Sequence, residues 1–119
     1  MPGSVLVIDD DAAFRALARR MLADCGLEVV GEAGSAAAGS AAAAKLKPDA
    51  ALVDVMLPDG DGVALAQELA GLPWKPRVVL TSSYADAAGR DEIDRSGVVA
   101  FMPKDELPTA ALDRLLGDG

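Results

Sequence analysis

The sequence predicts an α/β fold: a doubly wound, five-stranded parallel sheet with five helices. Short aliphatic runs recur along the chain, each ending at a polar residue, and the stretches between them carry apolar residues at helical spacing. Strands joined by helices of this length pair in parallel only through right-handed crossovers, which leaves helices on both faces of the sheet.

Val5-Leu6-Val7-Ile8 is a β-rich run that stops at Asp9, as a strand buried on both faces should. Phe14, Leu17, Ala18, Met21 and Leu22 then fall on one helical stripe, with Arg15, Arg19 and Arg20 off it, and Gly26 stops this first helix. Glu28 to Ala33 reads as the second strand. Ser35 to Leu46 reads as an Ala-rich helix that Gly39 weakens by ~1 kcal/mol relative to Ala, and Ala50 to Val53 as a buried third strand. Leu65, Leu69 and Leu72 mark the third helix, Val78 to Leu80 the fourth strand, Ala85 to Ser96 a polar fourth helix and Val98 to Met102 the fifth strand. Leu112, Leu115 and Leu116 close the chain with a fifth helix. Trp74 lies in a loop between Pro73 and Pro76, where it either packs over a helix end or anchors a partner.

With 119 residues and no Pro/Gly/Ser linker, a single domain over 1–119 is expected, its core running from about 5 to 116. Apolar residues make up 51% and aromatics 3%, so small aliphatics must build that core. No apolar run approaches the ~20 residues that cross a bilayer, and Met1-Pro2-Gly3-Ser4 lacks the basic and apolar parts of a secretory signal. The expected location is therefore the cytoplasm, without membrane contact. The single cysteine, Cys25, forms no internal disulfide and reads as a small packing residue. A net charge of −8 and a pI near 4.3 argue against nucleic-acid binding by this segment. The chain has no histidine, which removes Ser-His and Cys-His catalysis, imidazole zinc sites and phosphohistidine chemistry of its own.

In doubly wound folds ligands bind beyond the carboxyl ends of the strands. Asp9 and Asp10 end the first strand, Asp54 the third and Thr81 the fourth, and Lys104 follows the fifth. Carboxylates within ~4 Å repel by roughly 4 kcal/mol per pair at an effective dielectric of 20, a cost that a divalent cation would relieve. Oxygen-only ligands favour Mg²⁺. Taken alone, Asp9-Asp10-Asp11 reads as a solvated loop with Asp11 capping the first helix.

With these pieces in place, the chain resembles the receiver domains of bacterial response regulators from about Val5 to Leu116. The matching pieces are Val7-Ile8-Asp9-Asp10-Asp11, Val53-Asp54-Val55-Met56-Leu57-Pro58, Asp61-Gly62, Leu80-Thr81-Ser82 and Phe101-Met102-Pro103-Lys104. The resemblance implies a flavodoxin-like strand order 2-1-3-4-5 and a two-component phosphorelay switch rather than a turnover enzyme. It implies that Asp54 accepts a phosphoryl group from a histidine kinase or phosphotransfer protein. Mg²⁺ would be held by Asp10, Asp54 and the Met56 backbone carbonyl, with Asp9 reaching it through water, and Lys104 would pair with phosphoryl oxygens. Thr81 would bind the phosphoryl group once present, and Phe101 would report that movement, unless it is an ordinary core phenylalanine. The fourth helix, fifth strand and fifth helix would form the face for an output partner or a homodimer. Here Pro103 precedes Lys104, where many relatives carry a proline after the lysine, and Phe101 to Leu107 is similar to receivers attached to helix-turn-helix DNA-binding domains.

Two other classes compete. Asp9 and Asp11 also satisfy the Asp-x-Asp pair of haloacid-dehalogenase-like phosphatases, although Ala12-Ala13 and the short chain depart from them. The third is an interaction module that keeps the fold without taking phosphate, against which the complete set of Asp9, Asp10, Asp54, Thr81 and Lys104 argues.

Overall fold

The computed structural model describes residues 3–82, 98 and 100–104. In chain order these form β1 (Ser4–Ile8), α1 (Ala12–Asp24), β2 (Glu28–Ala33), α2 (Ala36–Leu46), β3 (Ala50–Asp54), β4 (Met56–Leu57), β5 (Gly60–Asp61), α3 (Gly62–Ala70), β6 (Arg77–Ser82) and β7 (Ala100–Pro103). The main sheet is five-stranded, parallel at each pairing, in the order β2-β1-β3-β6-β7. With β6 and β7 as the fourth and fifth strands, this is the expected 2-1-3-4-5 order. The expected helices at Ala85 to Ser96 and around Leu112 to Leu116 lie outside the described residues.

Strand periodicity assigns the two faces, because successive side chains point to opposite sides. Leu6 and Ile8, Ala51 and Val53, and Val78 and Leu80 join Ala43 of α2 and Val63, Leu65, Ala66 and Leu69 of α3 in one cluster. Val5 and Val7, Ala50 and Leu52, and Val79 join Phe14, Ala18 and Leu22 of α1 in the other. All five residues of β3 are buried, so the segment that ends at Asp54 is held from both sides.

The stripe expected on the first helix is corrected at Leu17, which is 42% exposed. The buried line runs through Phe14, Ala18 and Leu22, with Met21 and Cys25 partly covered beside it. Leu17 lies about 100° around the helix from the fully buried Ala18, too far to reach the sheet. Gly26, at φ 82°, takes up the left-handed backbone that ends α1. Gly39 is likewise more than a weak point in α2. A Cβ there would meet Ile8 Cδ1 at 2.8 Å, so its lack of a side chain lets α2 rest on β1.

Two features were not expected from the sequence. The segment after Asp54 folds into a small antiparallel hairpin, β4 pairing β5 through Met56 with Asp61 and Leu57 with Gly60. Asp59, at its tip, reaches across to α2, accepting from the Ala36 and Ala37 N–H groups at 2.7 and 3.0 Å. Ser35 caps the same helix through the Ala38 N–H. Trp74, for its part, donates its indole N–H to the Pro48 carbonyl at 2.9 Å, just past the end of α2, which is the packing alternative of the sequence reading.

Candidate functional site

Asp9, immediately after β1, is fixed at the backbone by its N–H bond to the Ala33 carbonyl of β2 at 2.9 Å. Its Oδ1 accepts the Asp11 N–H at 2.9 Å, and Asp11 in turn caps α1 by accepting the Ala13 N–H at 3.0 Å. Asp54 ends β3 and stands opposite Thr81 of β6, while Thr81 stands opposite Met102 of β7, two residues before Lys104. Asp54 Oδ1 accepts the Met56 N–H at 3.2 Å, which aims the carboxylate along the loop that opens the hairpin.

These registers gather the acidic residues named from the sequence. Carboxylate oxygens of Asp9, Asp10 and Asp54 lie within 4.8 Å of one another. Asp9 is 1% exposed and Asp54 7%, whereas Asp10 faces solvent. The Lys104 ammonium enters between the two buried acids, 2.6 Å from Asp9 Oδ2 and 3.4 Å from Asp54 Oδ2. Asp9 Oδ2 is buried and takes no well-directed hydrogen bond. One ammonium against three carboxylates leaves the cluster net negative. An all-oxygen, anionic donor set of this kind fits a hard divalent cation better than zinc.

The electrostatics follow from this geometry. Burial pushes the Asp54 carboxyl above its ordinary 3.8, with the Asp9 charge adding to it and the Met56 N–H and Lys104 pulling the other way. Burial of Lys104 opposes its charge, yet Asp9 and Asp54 outweigh that and hold the ammonium above the usual 10.5. A carboxyl whose folded value is raised binds more protons folded than unfolded, so stability falls as pH rises from 3.8 through the raised value. In EDTA, Asp54→Asn is therefore expected to melt higher than the wild type at pH 7, with the gain vanishing below that window. Melts of both proteins from pH 3 to 7 check this, and a lower melting temperature for the variant at pH 7 would contradict it.

Of the other residues named from the sequence, Thr81 is fully buried, its hydroxyl 3.4 Å from the Val53 carbonyl beside Asp54. Phe101 stands opposite Leu80, one position short of Thr81, partly buried against the α2–α3 cluster. Met56 extends its side chain into solvent while its backbone stays at the site. Asp11 is engaged as the helix cap.

Two site neighbours escaped the sequence reading. Arg15 donates Nη1 to the Asp9 carbonyl at 2.6 Å and pairs with Glu32 of β2 at 3.1 Å, while Arg19 grips the second Glu32 oxygen at 2.7 Å. Arg19 and then Arg15 hold Glu32 below its ordinary carboxylate range. Phe14 places its ring centroid 4.3 Å from the Lys104 ammonium. Both sit on α1 and read from sequence only as periodic positions.

The family model for the response regulator receiver domain matches residues 5–115. The chain belongs to that family. As a receiver domain it is a signalling switch of two-component systems. It is 40% identical over 101 residues to the DNA-binding transcriptional activator DevR/DosR of Mycobacterium tuberculosis, covering 84% of this chain and 46% of that protein. It is 25% identical over 111 residues to the chemotaxis protein CheY of Thermotoga maritima, covering 93% and 92%. The signal receiver domain of the response regulator NarL from M. tuberculosis superposes with a TM-score of 0.83 at 31% identity over 98% of each chain. The receiver domain spans about half the length of the first curated relatives it matches. Among the described residues, no helix is long and apolar enough to cross a membrane.

Proposed function

We propose that this receiver domain, as a single folded unit, accepts a phosphoryl group on Asp54 in a Mg²⁺-dependent reaction and passes the change to a partner. The observation that carries the reading is the cluster of Asp9, Asp10 and Asp54 with Lys104 lodged between two of its acids. Asp10 and Asp54, with the Met56 backbone carbonyl, would hold the metal, and Asp9 would reach it through water. When bound, Mg²⁺ supplies neutralisation of the charge spread over the equatorial phosphoryl oxygens.

An Asp54 carboxylate oxygen forms the new O–P bond as the P–N bond of a donor phosphohistidine breaks, and the released imidazole nitrogen keeps the electron pair and takes a proton from solvent. The donor histidine belongs to a kinase or phosphotransfer protein, since this chain has none. Lys104 steadies the transferring oxygens as a point charge. Thr81, one register position across from Asp54, then donates its hydroxyl to a phosphoryl oxygen, and Phe101 follows on the adjoining strand. The output partner, or a second copy, docks on the face that includes β7, in the cytoplasm. DevR/DosR, a DNA-binding activator, is one kind of longer protein in which such a module serves.

The test is intact-protein mass after incubation with acetyl phosphate and Mg²⁺. The wild type is expected to gain about 80 Da and Asp54→Asn nothing. An adduct of equal yield on both proteins overturns the reading.

A further inference from the structure

Lys104 reaches the site from a segment just past β7, on a flexible four-carbon stem, and its ammonium has three neighbours with different prospects. Asp9 lies at 2.6 Å, Asp54 at 3.4 Å, and the ring of Phe14 at 4.3 Å from centroid to nitrogen. If Asp54 is the phosphoacceptor, the negative charge there leaves the carboxylate and moves onto the phosphoryl oxygens when the O–P bond forms. The ring face keeps its negative quadrupole throughout.

Phe14 is also firmly anchored. It is 8% exposed, packed in the core cluster with Val5, Val7, Ala18 and Leu22, so its plane is set by the sheet and by α1. The Lys104 side chain is 16% exposed, which places the ammonium–ring contact where water competes little and such contacts are strongest. Asp11 caps α1 three residues before Phe14, and Arg15 beside it is bonded to the Asp9 carbonyl, so two hydrogen bonds tie the helix that carries the ring to the acidic turn.

We infer that Phe14 is a positioning residue for phosphoryl transfer: its ring holds the Lys104 ammonium within reach of Asp54 while the charge on Asp54 changes. The inference rests on the phosphoacceptor reading and adds a residue to it. In this role Phe14 touches neither donor nor phosphoryl group and acts through Lys104 alone.

The experiment has two arms on the full chain. In the first, NMR of the wild type locates the Lys104 ε-methylene protons, which are expected upfield of their random-coil position because they lie over the ring. Phe14→Leu, which keeps an apolar side chain but removes the ring, is expected to return them downfield. Ordinary shifts in the wild type overturn the contact without any need for a variant. In the second arm, the rate of the mass adduct from acetyl phosphate and Mg²⁺ is followed at rising donor. Phe14→Leu is expected to slow the saturated rate about 5-fold while leaving the half-saturating donor concentration unchanged, and Phe14→Tyr to restore most of it. A wild type that gains the adduct while Phe14→Leu matches its rate overturns the positioning role and leaves the phosphoacceptor reading standing. A wild type that never gains the adduct removes that reading, and the positioning role with it.

Discussion

Replacing Gly62 with alanine is expected to lower stability by about 3 kcal/mol or more, a fall of roughly 10 °C in melting temperature for a domain of this size. A Cβ at Gly62 would lie 1.9 Å from the carbonyl oxygen of Asp54 and 2.8 Å from both its carbonyl carbon and Val55 Cα. All three are backbone atoms, so no rotamer change relieves the overlap. The Gly62 N–H is also bonded to the Val55 carbonyl at 2.8 Å, which closes the easiest escape. What must move is the peptide that follows the Asp54 side chain, and a displacement of 1 Å can cost on the order of 100-fold in the rate of the proposed transfer. Thermal melts and adduct formation should therefore fail together. A variant within 2 °C of wild type that still takes the adduct would show that the loop yields freely.

Lys104→Met should have the second largest effect. Loss of one pre-positioned charge aimed at a developing anion costs about 100-fold or more, so the adduct from acetyl phosphate is expected to appear at least that much more slowly. Without divalent ions the variant also leaves Asp9 and Asp54 facing each other with no cation between them. A stability loss of about 2 kcal/mol is expected in EDTA, below the range for fully buried pairs because Lys104 keeps 16% exposure, and Mg²⁺ should restore much of it. Because the folded value of Lys104 is raised, its contribution is complete below 10.5 and is lost as pH climbs through that higher value. Urea unfolding at pH 7 and above pH 10.5 separates the cases. The wild type should lose its advantage over the variant only in the alkaline series, and an advantage that is already absent at pH 7 would refute the pairing.

Much of this architecture is legible in the sequence, for a physical reason. β2 has the expected bounds, and β1 and β3 differ by a residue at one end, the last two because strands buried on both faces are unbroken aliphatic runs that stop at a polar residue. The same rule brought Asp9, Asp54 and Thr81 to one edge, since each ends or closes such a run. What local pattern left out depends on distance along the chain. Leu17 fits the helical period, yet its exposure is set by the angle at which α1 meets the sheet. Pro58-Asp59-Gly60 is a turn signal that could have revealed the hairpin, but the reach of Asp59 to amides 23 residues earlier has no local trace. The approach of Phe14 to Lys104 crosses 90 positions, and the period that made Phe14 a core residue masked that contact.

The bond from Asp59 to the start of α2 ties two parts of the molecule that the chain itself keeps apart. Asp59 sits five residues past Asp54 on the hairpin that begins at the site, so any tilt of that hairpin tugs on the Ala36 and Ala37 amides. The hairpin is thereby moored to a helix far from it along the chain, and those two backbone protons are natural probes of where the hairpin sits.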